Sequence, residues 1–284
     1  MTTPIPPIRP ITREQVREFE LLASRCGESL MRPVDAIENN GQGYAYFTRG
    51  PVLATLSTNP YAVWATSACG LNNADAETIE ATIQFFRSHA VPAVVRIVPD
   101  GFTKEKADRL SSYNLRHVGF HTVLWSPLPI KVEPDPAEIR IEHANTAAEF
   151  DVALEVQLEG WGVPYTPNSP LVKLRRSWRT LPDHRMYLAY YNGEPAAHAM
   201  LYTEGRVGYL ENASTIKRFR DKGLHCALIR RRINDAIALG CDTIVGGADF
   251  ESPSRTNQMR CGLQIAYLAA MWSEIIPGVP GSGG

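Results

Sequence analysis

Two stretches of the chain run through the same order of elements, and that recurrence limits the possible folds more than any other feature. In the first, Ala76 to Phe86 sets Ile79, Ile83 and Phe86 on one helical face, and the apolar strand Ala93–Val98 follows. A second helix then leads into the aromatic strand Val118–Trp125. In the second stretch, a helix carrying Leu228, Ile229, Ile233 and Ile237 precedes the strand Asp242–Val245, another helix and the aromatic run Gly262–Trp272. Alternating helical and strand periods predict an α/β protein. Their recurrence at about one domain's length predicts a tandem duplication.

Composition agrees with two soluble units and excludes several function classes. The chain has 284 residues, 44% of them hydrophobic and 21% charged, enough apolar mass for real cores. A net charge of −1 argues against a protein whose main partner is a nucleic-acid backbone. No apolar run is long enough for a membrane span, and the N-terminal residues lack the layout of a signal peptide, so no membrane partner and a cytoplasmic location are expected. The five cysteines (Cys26, Cys69, Cys226, Cys241, Cys261) form no C-x-x-C, which disfavours a disulfide framework and a zinc ribbon; no metal is expected.

Along the chain, Pro4, Pro6, Pro7 and Pro10 predict an extended lead-in, and a helix begins at Thr12 with Glu14 in its first turn. Tyr44–Thr48 and Val52–Leu56 read as strands. The proline-spaced stretch Lys131–Pro136 is the linker candidate, and Ile139–Ile141 opens the second pattern of strands and helices.

The segment Tyr209–Leu228 carries the chemistry. A strand runs to Ile216, a short basic loop follows, and an amphipathic helix begins after Gly223. Such a turn aims backbone N–H groups and a positive helix end at one point, a ready anion site. Seven basic side chains fall between 217 and 232 (Lys217, Arg218, Arg220, Lys222, Arg230, Arg231, Arg232) against Asp221 alone. Gly223 lets a phosphate approach the backbone. No G-x-x-x-x-G-K-[ST] and no G-x-G-x-x-G is present, which excludes a P-loop and disfavours a Rossmann dinucleotide site.

The loop Arg220-Asp-Lys-Gly223-Leu-His225 resembles the [RQ]-x-x-G-x-[GA] acetyl-CoA loop of the GNAT N-acetyltransferase superfamily, with His225 where Gly or Ala is usual. Glu251–Leu263 is similar to the S-x-S-x-x-N-x-x-R-x-G-F segment of tandem-domain GNAT proteins. Ser252, Ser254, Asn257, Arg260 and Gly262 match it, and Leu263 stands for Phe. Met186–Leu201 looks like the family's hairpin, turning at Asn192-Gly193. The resemblance covers residues 139–272 closely and, in the first half, only Gln84–Trp125. It implies two GNAT-like domains in tandem, each a mixed, mostly antiparallel sheet flanked by helices. Residues 1–134 would form a degenerate N-terminal domain, 135–276 the acetyl-CoA-binding domain and 277–284 a flexible tail.

The resemblance further implies transfer of an acetyl group from acetyl-CoA, as co-substrate, to an amine of a small-molecule acceptor. Ser214, Thr215, Ile216, Arg220, Asp221, Lys222, Gly223, Leu224, His225 and Asn257 would hold the cosubstrate. The strand Gly240–Val245 would splay from the preceding one to admit pantetheine. Glu211 stands where family members often place a general base; otherwise it is an ordinary strand carboxylate. The usual general-acid tyrosine is replaced by Gln258, which leaves Tyr267 as an alternative acid or a core aromatic. Trp161 and Tyr165 fall in the region that covers the acceptor, or in a packed connection. His198 reads as a core histidine, and His225 as a phosphate contact or a turn cap. In the first half the corresponding loop, Ala68–Asp75, has no basic residue and places an acid at the helix start, so this half is expected to bind no cosubstrate. The rival readings are a non-catalytic CoA-binding regulator, an acyltransferase for a longer acyl-CoA, and, least favoured, a nucleic-acid binder.

Overall fold

A computed structural model describes residues 10–33, 43–58, 66–130 and 134–276. The prolines at 4, 6 and 7, the first half of the expected linker (131–133) and the expected tail (277–284) lie outside the described residues. Helix α1 (Arg13–Met31) starts where the sequence predicts. The Thr12 hydroxyl accepts the Gln15 N–H and the Gln15 side chain accepts the Thr12 N–H, a reciprocal cap. Its buried stripe is Val16, Phe19, Leu22, Cys26 and Leu30, whereas Leu21 faces solvent.

The first half continues through the strands β1 (Tyr44–Arg49), β2 (Val52–Ser57) and β3 (Ser67–Cys69), then helix α2 (Ala76–Ser88) and strand β4 (Val94–Ile97). Helix α3 (Lys104–Ser112) and strand β5 (Leu115–Pro127) complete it. The second half runs β6 (Ile139–His143), α4 (Ala147–Trp161), α5 (Pro170–Ser177), β7 (His184–Tyr191), β8 (Glu194–Glu204) and β9 (Val207–Thr215). It ends with α6 (Leu224–Ala238), β10 (Thr243–Asp249), α7 (Pro253–Arg260) and β11 (Gln264–Glu274). The β7–β8 turn is the expected Asn192-Gly193, with φ of 48° and 86°, values that glycine and asparagine tolerate best.

Among the described residues eleven strands join in one mixed sheet, ordered β1-β2-β3-β4-β11-β5-β10-β9-β8-β7-β6. Ten strand contacts build it, and only β3–β4 and β9–β10 are parallel. The sequence predicts a sheet for each half; the structure fuses them by exchanging their last strands. β11 pairs with β4 through Ala270↔Ile97 to Ser273↔Val94 and with β5 along its whole length. β5 in turn pairs with β10 from Thr243↔Pro127 to Asp249↔His121. Each terminal strand thereby covers an edge that the other half would leave open.

The packing also crosses the middle of the chain. The larger core joins the α1 stripe and Val123–Trp125 to the second half's helices and sheet, while the smaller one lies around Ile79, Ile83 and Phe86. The Trp178 indole donates to the Leu30 carbonyl (2.9 Å), and Arg25 pairs with Glu204. At the far end, Arg87 pairs with the buried Glu274 carboxylate (2.7 Å), whose other oxygen accepts the Ala93 N–H. α1 is therefore clamped between the halves, directly beside β9.

Candidate active site

The parallel pair β9–β10 stays in register only from Val207↔Thr243 to Leu210↔Gly246. Beyond that pair β10 follows β5 and β9 follows β8, so the two strands part just before Glu211. A bulge sharpens the turn. β8 pairs Met200 with Glu211 but Ala199 with Ala213, leaving Asn212 as the extra residue at φ 43°. A buried polar cluster holds it there: Asn212 Oδ1 accepts from the Gln157 amide (3.1 Å), and the His198 ring lies within hydrogen-bond distance of Asn212 Oδ1 (3.1 Å) and Ser214 Oγ (3.0 Å). Burial drives His198 down to about 3, so it is the neutral core histidine of the first reading. An asparagine inside a strand was the available sequence signal for the bulge.

The loop after β9 passes through a short turn at Lys217–Phe219, with Asp221 and Gly223 in the left-handed region (φ 63° and 82°). α6 then begins with no side-chain cap. Its first intrahelical bond is Ala227 N–H to Gly223 O, leaving the N–H groups of Leu224, His225 and Cys226 aimed out of the helix end. A Cβ on Gly223 would meet only Ile139 Cδ1 at 3.9 Å, so the space above the loop is open. A bare helix end, an open cradle and exposed Lys217 and Lys222 fit a pyrophosphate.

Not every expected contact is made by a side chain. Ile216 and Leu224 are buried, and the Ile216 N–H is bonded to the Ala196 carbonyl. Ser214 Oγ bonds to the Gln157 carbonyl (3.1 Å), and the Thr215 carbonyl accepts from Arg220 Nε (3.4 Å). Arg220 also donates to the Gly160 carbonyl (3.2 Å), tying the loop to α4. The count of seven basic groups overstates the anion site. Arg218, Arg230 and Arg231 pair with Glu159, Asp135 and Asp235, and Arg232 is buried against the carbonyls of Met200 and Glu211. His225 is no cationic phosphate contact either. Burial, then Arg232, lower it to about 4, and its Nδ1 meets the Asn257 amide at 3.2 Å.

The second matched segment explains itself locally. Ser252 Oγ caps α7 by accepting the Arg255 N–H, Pro253 opens the helix, and Arg260 donates to Asn257 Oδ1 (3.3 Å). Gln258 is buried, donating to the Gly247 carbonyl (3.1 Å) and Ser254 Oγ (3.3 Å), so it braces β10.

Glu211 faces a cavity of about 150 Å³ between β9 and α1, lined also by Tyr209, Arg96, Ser24, Cys69 and Leu53. Burial, partly offset by Arg232, raises Glu211 to about 7. Tyr209, two residues earlier on the same strand face, is the group sequence reasoning missed. A Cβ at Gly247 would lie 3.4 Å from its hydroxyl, which places that hydroxyl where the strands part. Burial and then Glu211 keep the phenol protonated far above neutrality. Tyr267 sits elsewhere, its hydroxyl donating to Glu20 Oε1 (2.9 Å) beside the Arg96–Glu20 ion pair (2.5 Å). Trp161 and Tyr165 are not among the walls of the Glu211 cavity. The Trp161 ring lies over Arg175 (4.9 Å), and the Tyr165 hydroxyl accepts from Arg176 (3.2 Å) in a separate surface hollow. The walls come instead from α1 and the first half, because α1 is docked there.

In the first half, Asp75 caps α2, its carboxylate accepting the Thr78 N–H (2.7 Å) and held below its usual range by that contact. The preceding Gly70 (φ 86°) packs against the Pro51 backbone. The acid fills the place that α6 leaves bare.

A mixed sheet that opens between two parallel strands, above an uncapped helix start, defines the class, an α/β protein. Residues 151–256 match the acetyltransferase (GNAT) family, and the whole chain has the tandem GNAT fold. A GCN5-related N-acetyltransferase from Kribbella flavida superposes with a TM-score of 0.59 at 15% identity, covering 91% of this chain and 96% of that one. A GCN5-related N-acetyltransferase from Sphaerobacter thermophilus gives 0.56 at 13% identity, covering 97% and 98%. A tandem GNAT protein from the clavulanic acid biosynthesis pathway gives 0.53 at 14% identity, covering 92% and 93%. No match is found among curated proteins. The family is one of acyl transfer. Among the described residues no helix is long and apolar enough to cross a membrane, and no group of three or more His, Cys, Asp or Glu is placed to hold a metal.

Proposed function

We propose that the chain is an N-acetyltransferase whose second half, residues 135–276, carries acetyl-CoA and whose first half, residues 1–134, binds none. The observation that carries this reading is the parting of β9 and β10 between Glu211 and the uncapped start of α6. The loop N–H groups of Leu224, His225 and Cys226, with Lys217 and Lys222, would meet the pyrophosphate. The free edge of β9 at Ala213–Thr215 would pair with the pantetheine amides, setting the thioester near Tyr209 and Glu211. Asn257 serves this arrangement by positioning His225 at the helix start.

Acetyl transfer then needs a neutral amine held against the thioester carbonyl. Glu211, ionised above about 7, takes a proton from the incoming ammonium. The amine nitrogen attacks the carbonyl carbon, the C–S bond breaks, and the nitrogen sheds its second proton to solvent as the amide forms. The CoA thiolate takes a proton from the Tyr209 hydroxyl, and solvent restores that proton and removes the one held by Glu211. A phenol raised by burial stays protonated for that role.

The test is calorimetric titration with acetyl-CoA of the wild type and of Gly223→Asp, which sets a carboxylate in the cradle. Micromolar binding by the wild type, lost in the variant while its thermal unfolding stays cooperative, supports the donor site. No binding by the wild type would refute it.

A further inference from the structure

The cavity at Glu211 does not end in the second half. Ser24, Leu53 and Cys69 are walls that it shares with a larger one, about 330 Å³, lying between α1, the β1–β2 turn and the loop after β3, and the contact of Ser24 Oγ with Cys69 Sγ (2.5 Å) marks the seam between the two. That volume is at the lower end of ligand-sized pockets, which run from roughly 300 to 1,000 Å³. Its position in the fold is informative. β3 and β4 are the parallel pair of the first half, meeting only at Ala68↔Val95, and a left-handed glycine follows β3 as Gly223 follows β9. The larger cavity thus occupies the first half's counterpart of the β9–β10 opening, and Asp75 bars an anion from the helix end beyond it.

The charges around both cavities restrict what can enter. Three guanidiniums line them, and each is already neutralised: Arg17 by Asp100 (2.6 Å), Arg25 by Glu204 (2.7 Å between Nε and Oε2) and Arg96 by Glu20 (2.5 Å). Carboxylate capacity is left over. Glu20 Oε2 is buried with no hydrogen-bond partner and Glu211 faces the smaller cavity, whereas Glu28, at the rim, pairs with Arg32 (3.4 Å). The remaining walls are largely apolar, from Leu21, Pro51, Val52, Leu53 and Val98. A ligand with its own carboxylate or phosphate would be desolvated here with no free cation among the described residues to receive it, whereas an ammonium finds acceptors.

We propose that the emptied cleft of the first half is the acceptor chamber, and that the acceptor is a primary amine with an apolar body and no anionic group. This rests on the reading of the second half as an N-acetyltransferase. The amine reaches Glu211 across the seam at Ser24, its entry parting the rotatable Ser24 and Cys69 side chains that meet there, while the body lies under α1 against the first half. The duplication would then have turned a second cofactor cleft into a substrate site.

Phenethylamine and L-phenylalanine test the idea, because they share a body and differ by one carboxylate. With acetyl-CoA as donor, kcat/KM for phenethylamine should exceed that for phenylalanine by about tenfold or more, the scale of one buried uncompensated charge. Ser24→Phe, which fills the junction, should raise the KM for phenethylamine about tenfold and leave acetyl-CoA affinity unchanged. Glu28→Arg, at the rim, should narrow the preference by giving the carboxylate a partner. If Ser24→Phe does not fold, as unfolding curves would show, Glu28→Arg still decides. Calorimetric titration with phenethylamine alone separates this proposal from the donor reading. Binding to the wild type without acetyl-CoA binding would sink the donor site and leave the chamber standing. Acetyl-CoA binding together with equal or better use of phenylalanine, or with no phenethylamine binding, would overturn the chamber.

Discussion

Replacing Glu211 by Gln keeps the shape of the side chain and removes its titration, so one variant tests both the electrostatics and the chemistry. Burial raises the carboxyl from 4.5 to about 7. At about 1.4 kcal/mol per unit, the ionised form costs the folded state at most about 3 kcal/mol, and partial exposure trims that figure. Because the folded pKa is the higher one, the folded chain binds more protons than the unfolded chain between 4.5 and about 7. Stability is therefore fully present below 4.5 and is lost as pH rises through about 7. Urea unfolding at pH 5 and pH 8.5 should show the wild type losing up to about 3 kcal/mol relative to Glu211→Gln, whose own stability lacks that decline. In the same variant, kcat/KM at pH 8 should fall by about 10²- to 10⁴-fold, and the inflection near 7 should vanish from the pH profile. A variant that keeps wild-type kcat/KM with the inflection in place would refute Glu211 as the base. An unchanged pH dependence of unfolding would refute its burial.

Five further outcomes follow from the same geometry. Tyr209→Phe should lower kcat by about 10²-fold or more, the size of a lost general acid, and leave the KM for acetyl-CoA in place. Tyr267→Phe should spare kcat and instead destabilise the protein by about 1–3 kcal/mol, because buried Glu20 loses a donor; steady-state kinetics and thermal melts separate the two. Asp75→Ala should cost about 1 kcal/mol of stability through the lost α2 cap, with calorimetry still showing one acetyl-CoA per chain. Lys222→Ala should weaken acetyl-CoA binding and flatten its salt dependence, whereas His225→Gln should leave the pH dependence of binding between 5.5 and 8 unchanged, since His225 is neutral throughout that range.

Local signals made much of this legible in the sequence. Thr12, Asn192-Gly193, Gly223 and Asp75 each sit at the cap or turn that their chemistry favours, and the periodic stripes placed α2 and α6 correctly. Long-range facts were not legible in the same way. That β11 lies between β4 and β5 depends on edge pairing, for which Gln264–Glu274 carries no label. The charge count around the loop failed because a helix sends Arg230, Arg231 and Arg232 in three directions, toward Asp135, Asp235 and the core. Tyr209 escaped notice because its placement at the cavity comes from where β10 departs, not from its neighbours in the chain. Trp161 and Tyr165 do not line the Glu211 cavity, whose walls α1 supplies from more than a hundred residues away.

The exchanged strands set the order in which the protein can be completed. β4 and β5 lie in the first half of the chain, yet the strand that joins them, β11, is made after every other strand described. Until it arrives, the nascent first half holds two unsatisfied strand edges and lacks the Glu274 carboxylate that Arg87 and the Ala93 N–H require. Co-translational assembly therefore cannot proceed half by half. The closing step threads the final strand between two others already made, a pairing of very large sequence separation, and such pairings fold slowly. A chain shortened by its last dozen described residues would lose the seam of both halves at once, and its two exposed edges would be free to recruit the same strand from a neighbour.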